Sequence, residues 1–191
     1  MAELCGPRIR LRLLRRDDSA ALVQAANDGE LWRLPYTVVP SAHTADAYID
    51  AALQLHAAGT AVPYAITLRE SGRVIGSTRF WKIDPRDRRL EIGSTWLAAS
   101  MQRGIANAEC KHLMLCAVFD GLDFVRVQFT TDEINQPSRA AILRLGAREE
   151  GVIRHERIMP DGRKRNSVRY SLIDSEWPAV KARLEQRLRV P

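Results

Sequence analysis

RLEIGSTWLAASMQRGIANAECKHLMLCAVF, Arg89 to Phe119, is the stretch whose reading decides the fold of this chain. Its opening, Leu90 to Leu97, alternates and is rich in Ile, Thr and Trp, as suits a strand with at least one buried face. After a short polar joint, Ala108, Cys110, Leu113, Met114, Cys116, Ala117 and Phe119 mark the apolar positions of a buried helix, with Glu109, Lys111 and His112 between them. The joint, Ser100 to Asn107, offers main-chain N–H groups at a helix start. Unclosed amides and the helix dipole both favour an anion there, so the text predicts a phosphate seat made of backbone.

On the N-terminal side, Ala61 to Leu68 and Val74 to Ile83 read as strands joined by Glu70-Ser71-Gly72-Arg73. Asp84 to Arg88 makes the next turn, and the Leu90 strand completes an antiparallel meander. Earlier, Arg8 to Arg15 alternates Arg with Ile and Leu, a half-buried strand. Asp17-Asp18-Ser19 caps a helix through Ala26, and Ser41 or Thr44 starts another toward Ala58, with Gly59 as its stop. Between those helices, Trp32 and Tyr36 sit in a Pro-containing loop and serve either packing or the wall of a substrate site. On the C-terminal side come a strand at Phe124 to Thr130 and a helix from Asn135 to Leu145, ended by Gly146. A hairpin of Glu150 to Ile158 and Ser167 to Ile173 follows, turning at Met159-Pro160-Asp161-Gly162. The last helix, from about residue 175, carries Val180, Leu184 and Leu188 on one stripe, for a sheet face or for a second subunit in a homodimer.

With 191 residues, no internal repeat and no low-complexity linker, residues 1–191 form a single domain of the α/β (α+β) class. Apolar residues at 46% and charged ones at 27% exclude a disordered chain. The apolar runs are shorter than a membrane span and the N-terminus lacks a signal-peptide pattern, which places the protein in the cytoplasm. Cys5, Cys110 and Cys116 have no C-x-x-C spacing, and the four histidines show no ligand pairing, so neither disulfide nor metal is expected. A formal charge of +6 leaves an anionic partner open. Its densest cluster, Arg154 to Arg169, has no aromatic stacking platform and reads as a solvated hairpin tip more than as a nucleic-acid grip.

The downstream text resolves what strand, turn and helix alone leave open. Glu91-Ile92-Gly93, Gln102 in the turn, Glu109 in the helix, Arg126-Val127, Asn135 with Ser138, and Leu145-Gly146 follow in that order. Together they resemble the GNAT superfamily of acyl-CoA N-acyltransferases, in its RimJ/RimL-like branch, over about Arg8 to Ile173. The resemblance implies a mixed, mostly antiparallel central sheet flanked by helices, splayed between the Leu90 and Phe124 strands where a pantetheine arm enters. It implies acetyl-CoA as acyl donor and a primary amine, small or at a protein N-terminus, as acceptor. Trp96, Leu97 and the turn Gln102, Arg103, Gly104, Ile105, Ala106 and Asn107 would hold the cofactor, with Asn135 and Arg139 reaching it from the next helix. The turn departs from the family pattern. One register starts at Gln102 and leaves Ile105 and Asn107 where small residues belong, and the other starts at Met101 and uses Gly104 and Ala106.

Amine acylation by a thioester needs a neutral amine, a stabilised oxyanion and a proton for the departing thiolate. Glu91 is the candidate for the ammonium proton, against an ordinary strand-end carboxylate paired with Arg89 or Arg79. Ser138 is the candidate nearest the sulfur, as the resemblance implies, against a plain helix-cap role for the Asn135-to-Ser138 text. Arg103 and Arg139 are candidate phosphate donors. Trp81 and Trp96 belong either to the acyl side or to the core. The competing functions are a CoA-binding protein without turnover and a basic module bound to RNA or the ribosome.

Overall fold

The structure, a computed structural model, describes residues 3–189. Its strands are β1 (Leu4–Cys5), β2 (Ile9–Leu13), β3 (Ala61–Leu68), β4 (Val74–Asp84), β5 (Arg89–Leu97), β6 (Arg126–Asp132), β7 (Arg148–Ile158) and β8 (Lys164–Ile173). Its α-helices are α1 (Ser19–Asn27), α2 (Ala45–Ala57), α3 (Ala106–Leu115), α4 (Gln136–Leu145) and α5 (Trp177–Arg189). The strands form one open sheet ordered β1-β2-β3-β4-β5-β6-β8-β7. Every neighbouring pair is antiparallel except β5 with β6, because the helix α3 carries the chain back between those two.

Helices cover both faces of the central strands, which is why β3 and most of β4 are buried side chain after side chain. On one face Leu22 and Ala26 of α1 and Ile49 and Ala52 of α2 share a core with Ala65, Val74 and Trp96. On the other, Met114 and Leu115 of α3 and Val180 and Leu184 of α5 join Ile66, Phe80, Ile92 and Val127. Each fully buried side chain of this size contributes about 1.5–3 kcal/mol by leaving water, so the two cores fix the sheet's position between its helices.

Several boundaries differ from the sequence reading. The helix whose apolar pattern runs to Phe119 ends as an α-helix at Leu115 and continues as a π-helical turn, Cys116–Gly121. That turn presents Phe119 to Trp177, with ring centroids 5.5 Å apart, and lets Asp120 accept from Trp177 Nε1 at 2.7 Å and Lys181 Nζ at 2.8 Å. The stripe on α5 accordingly joins the core that α3 and this turn share with the sheet. The strand expected from Phe124 begins at Arg126, with Phe124 itself in the core. The last strand begins at Lys164, three residues earlier than read, because pairs Arg157↔Arg165 and Ile158↔Lys164 extend the ladder into the charged run.

Candidate active site

The feature that makes room for a ligand is the parting of two parallel strands. Strands β5 and β6 pair at Arg89↔Arg126, Leu90↔Val127 and Glu91↔Gln128, and among the described residues at no later position. Yet β5 runs on to Leu97 and β6 to Asp132. A register shift against β4 between Ser77 and Arg79, with Ser94 at φ +49, puts a bulge in β5 just beyond Glu91 and bends it away. Strand β5 leads through a 3₁₀ turn at Ala99–Met101 into α3, and β6 through a short turn into α4, so both helix N-termini follow the strand ends at the open side of the gap. That is the carboxyl end of parallel strands, where crevices in such sheets receive ligands.

At the α3 side, the first amide to close a helical turn is that of Glu109, donating to Ile105 O at 2.9 Å. The amides of Ala106, Asn107 and Ala108 are thus the helix's unclosed donors. Arg103 takes φ +60 just before them, and Gln102 turns its side chain back to donate from Nε2 to Leu97 O at 2.8 Å. Ile105 packs on the core, and a Cβ at Gly104 would touch only Met101 O, at 3.9 Å. No side chain among the described residues caps this helix start. Glu109, in contrast, is wholly internal: its Oε1 accepts from the amides of Arg8 at 2.8 Å and Ile9 at 3.0 Å and pins β2 to α3.

At the narrow end of the gap stands Glu91, 1% exposed. Its Oε2 accepts from Lys82 Nζ at 2.9 Å and Gln128 Nε2 at 2.8 Å. This corrects the expected pairing: Arg89 is bound to Asp84 and Asp87 instead, and Arg79 lies over the Tyr48 ring. The other carboxylate oxygen, Glu91 Oε1, is buried without a hydrogen-bond partner among the described residues, as is Trp81 Nε1. Both crowd one spot: a Cβ on Gly93 would stand 2.7 Å from Trp81 Nε1 and 3.6 Å from Glu91 Oε1. An acceptor and a donor without partners, beside a residue lacking a side chain, leave a polar niche where the strands separate. A cleft of ≈ 500 Å³ lined by Lys82, Glu91, Arg126, Gln128 and Arg169 adjoins it.

The other candidates fall into two groups. Asn135 caps α4, its side chain accepting from the Ser138 amide at 3.1 Å, and so sets both residues at the mouth with Ser138 half-buried. Arg139 is engaged elsewhere: it donates to Tyr170 Oη at 3.0 Å and Glu133 O at 3.3 Å and pairs with Glu149 at 3.4 Å. Trp96 belongs to the α1–α2 core, its Nε1 donating to Tyr48 Oη at 3.3 Å, and Leu97 to the opposite core. Arg103 is exposed. Lys82 and Gln128 escaped the sequence reading, because each joins Glu91 through pairing register or a bulge and neither leaves a local signal, whereas Trp81, read as belonging to the acyl side or to the core, brings its indole N–H to the niche beside Glu91. Lys111 is also buried: it donates to Thr95 Oγ1 at 2.7 Å beside the bulge, and burial pushes its pKa below the usual lysine value. Burial likewise raises the Cys110 and Cys116 thiols, the latter to about 11, which removes them as nucleophiles. Among the described residues no group of three His, Cys, Asp or Glu side chains is placed to hold a metal, and no helix is long and apolar enough to cross a membrane.

An open, mostly antiparallel sheet parted at its one parallel pair, with an amide-rich helix start at the gap, defines an acyl-CoA-type transferase domain. Residues 8–148 match the family described as "Acetyltransferase (GNAT) domain", and the chain belongs to that family. It is 33% identical over 111 residues to "Putative ribosomal N-acetyltransferase YdaF" of Bacillus subtilis (strain 168), a match covering 58% of this chain and 59% of that protein. The matched part of this chain thus spans less than two thirds of that relative's length. Among solved structures, a "putative acetyltransferase" from T. thermophilus superposes with a TM-score of 0.86 at 35% identity, covering 98% of this chain and 97% of that one. The fold is shared with "Mycobacterium smegmatis RimJ in complex with CoA-disulfide" at a TM-score of 0.80 and 22% identity, over 96% of this chain and 94% of that one.

Proposed function

We propose that the protein moves an acetyl group from acetyl-CoA to a primary amine by direct attack, with the donor's pantetheine arm lying between the diverging halves of β5 and β6. The observation that carries this reading is the end of β5–β6 pairing at Glu91↔Gln128, with a helix start that no side chain caps at one side of the gap and an unpartnered carboxylate oxygen at its apex. Acetyl-CoA would supply the activated acyl group. The amides of Ala106 to Ala108 would meet its pyrophosphate, with Arg103 close enough on the turn to add charge. Gly104 and Ala106, the small residues of the Met101 register, leave the turn accessible, whereas Ile105 is already spent on packing.

Glu91 Oε1 would receive the ammonium proton, directly or through a water, while Oε2 stays anchored by Lys82 and Gln128. Those two donors keep the carboxylate oriented, as a base needs. Ser138, set at the mouth by the Asn135 cap, would hydrogen-bond the departing thiolate, an interaction strengthened as water is excluded. The relative described as ribosomal supports a protein N-terminus as acceptor, and a small amine is the other choice. Thiol release from acetyl-CoA with a panel of amines and N-terminal peptides, set beside calorimetric binding of CoA, tests the reading. Tight CoA binding without release on any acceptor refutes it in favour of a cofactor-binding protein without turnover.

A further inference from the structure

The carboxylate that stands at the apex of the gap already carries a primary ammonium. Lys82 Nζ donates to Glu91 Oε2 at 2.9 Å and lies over the Trp81 ring, 4.6 Å from its centroid. Strand alternation alone would not bring it there. Trp81 pairs with Glu91 across β4 and β5, so their side chains share a face, and the residue after Trp81 belongs by alternation to the other face. The register shift between Trp81 and Asp84, with Lys82 at φ +50, breaks the alternation and returns the lysine to the side of Glu91. Such a backbone state is uncommon for a residue with a Cβ and gathers at functional sites. The Lys82 side chain is half exposed and lines the ≈ 500 Å³ cleft together with Glu91, so it can leave its carboxylate and return. No other lysine among the described residues is placed in this way. Of the chain's four, Lys111 is buried against Thr95, Lys181 is paired with Asp120 and Lys164 is exposed at the start of β8.

Resting on the acetyl-transfer reading above, we infer that Lys82 is an internal acceptor: when no external amine is bound, the protein acetylates its own Lys82 Nζ from acetyl-CoA. Glu91 takes one proton from the ammonium, and the freed nitrogen lone pair attacks the thioester carbonyl carbon. The C–N bond forms, the C–S bond breaks, and the second proton of the nitrogen leaves with the thiolate as CoA thiol. One acetyl-CoA and one lysine ammonium thus give acetyl-lysine, CoA thiol and a proton, which Glu91 returns to water. An external amine hydrogen-bonded to Oε1 sits on the neighbouring oxygen of the same carboxylate, so the flexible lysine stem has little distance to cover. The tether also replaces a bimolecular encounter by an internal one. The product is a neutral amide, and Glu91 loses the cation beside it.

Incubating the full chain with acetyl-CoA and no amine tests the inference, with peptide mapping by mass spectrometry following acetyl occupancy at all four lysines over time. Lys82 is expected to be modified about tenfold or more faster than exposed Lys164, at a rate per molecule that does not depend on protein concentration. Glu91→Gln should slow the modification by about 10²-fold or more, Lys82→Arg should abolish the adduct, and Lys164→Arg should leave it as it was. Should Glu91→Gln fail to fold, the ratio of Lys82 to Lys164 in the parent chain decides. Equal rates at the two lysines, or a Lys82 rate that folded Glu91→Gln leaves intact, overturns the inference in favour of plain solution acetylation. An unmodified Lys82 in a protein that acetylates external amines also overturns it, with acetyl transfer standing and the lysine an anchor of Glu91. An unmodified Lys82 together with no thiol release on any amine overturns both.

Discussion

Substituting Glu91 by Gln separates the two roles that this carboxylate could have. The side chain keeps its shape, and its amide oxygen can still accept from Lys82 and Gln128, at the 2.9 and 2.8 Å positions now held by Oε2. The new NH₂ then falls where Oε1 lies, a buried place without a partner among the described residues, which costs about 1–3 kcal/mol. Some of this is offset, because a carboxylate 1% exposed no longer has to be held out of water, while Lys82, with a side chain 49% exposed, can turn to solvent. The expected net loss is about 1–2 kcal/mol, a fall in Tm of roughly 2–8 °C for a domain of this size. If Glu91 takes the amine proton, kcat/KM falls far more than that, by about 10²–10⁴-fold. Thermal denaturation beside steady-state thiol release at saturating acetyl-CoA reads both. A variant that loses a few degrees and less than about fivefold in rate would refute the assignment and leave Glu91 as the anchor that joins β5 to β6.

Four further substitutions test neighbouring claims. Ser138→Ala should lower kcat with little change in CoA affinity or Tm, whereas Asn135→Ala should cost about 1 kcal/mol as a lost helix cap and weaken CoA binding, with Arg139→Ala destabilising but leaving the CoA dissociation constant unchanged; equal unfolding of the first two, with no separable kinetic effect, would return the Asn135-to-Ser138 text to plain capping. Arg126 holds the Glu150 carboxyl at about 2, against an ordinary 4.5, so this pair stabilises the fold above pH 4.5 and loses that contribution as pH falls toward 2. Glu150→Gln should therefore unfold at lower urea than the parent at pH 7, by under about 1 kcal/mol because the pair is partly exposed, and the gap should close in acid; a gap that widens in acid would refute the pairing.

Much of the fold was legible because its signals are local. Alternation set β3, β4 and β5 within a residue or so, the Gly146 cap bounded α4, the start of α2 fell at the second of the two places read for it, Ser41 or Thr44, and the unclosed amides before Glu109 follow from where an apolar helix pattern begins. The family resemblance, carried by Glu91, Gln102, Glu109, Asn135 and Ser138, supplied the splay between the fifth and sixth strands. Ends set by partners were less legible. Strand β8 starts at Lys164 because β7 is there to pair with it, and α3 relaxes into a π-helical turn where it meets α5.

The amino-acid order by itself determined the elements, the helix start with its unclosed amides and the residue types available for chemistry, since periodicity and capping depend on neighbours a few positions apart. Only the tertiary structure decided what those residues touch. Lys82 and Gln128 reach Glu91, Trp81 shares its niche, Arg139 is drawn to Tyr170 and Glu149 on the last hairpin, and Arg169 of β8 lines the adjoining cleft, all through strand register and a bulge. A shift of one residue in register exchanges the two faces of a strand, so side chains far apart in the chain acquire a common site only when the whole sheet has been assembled.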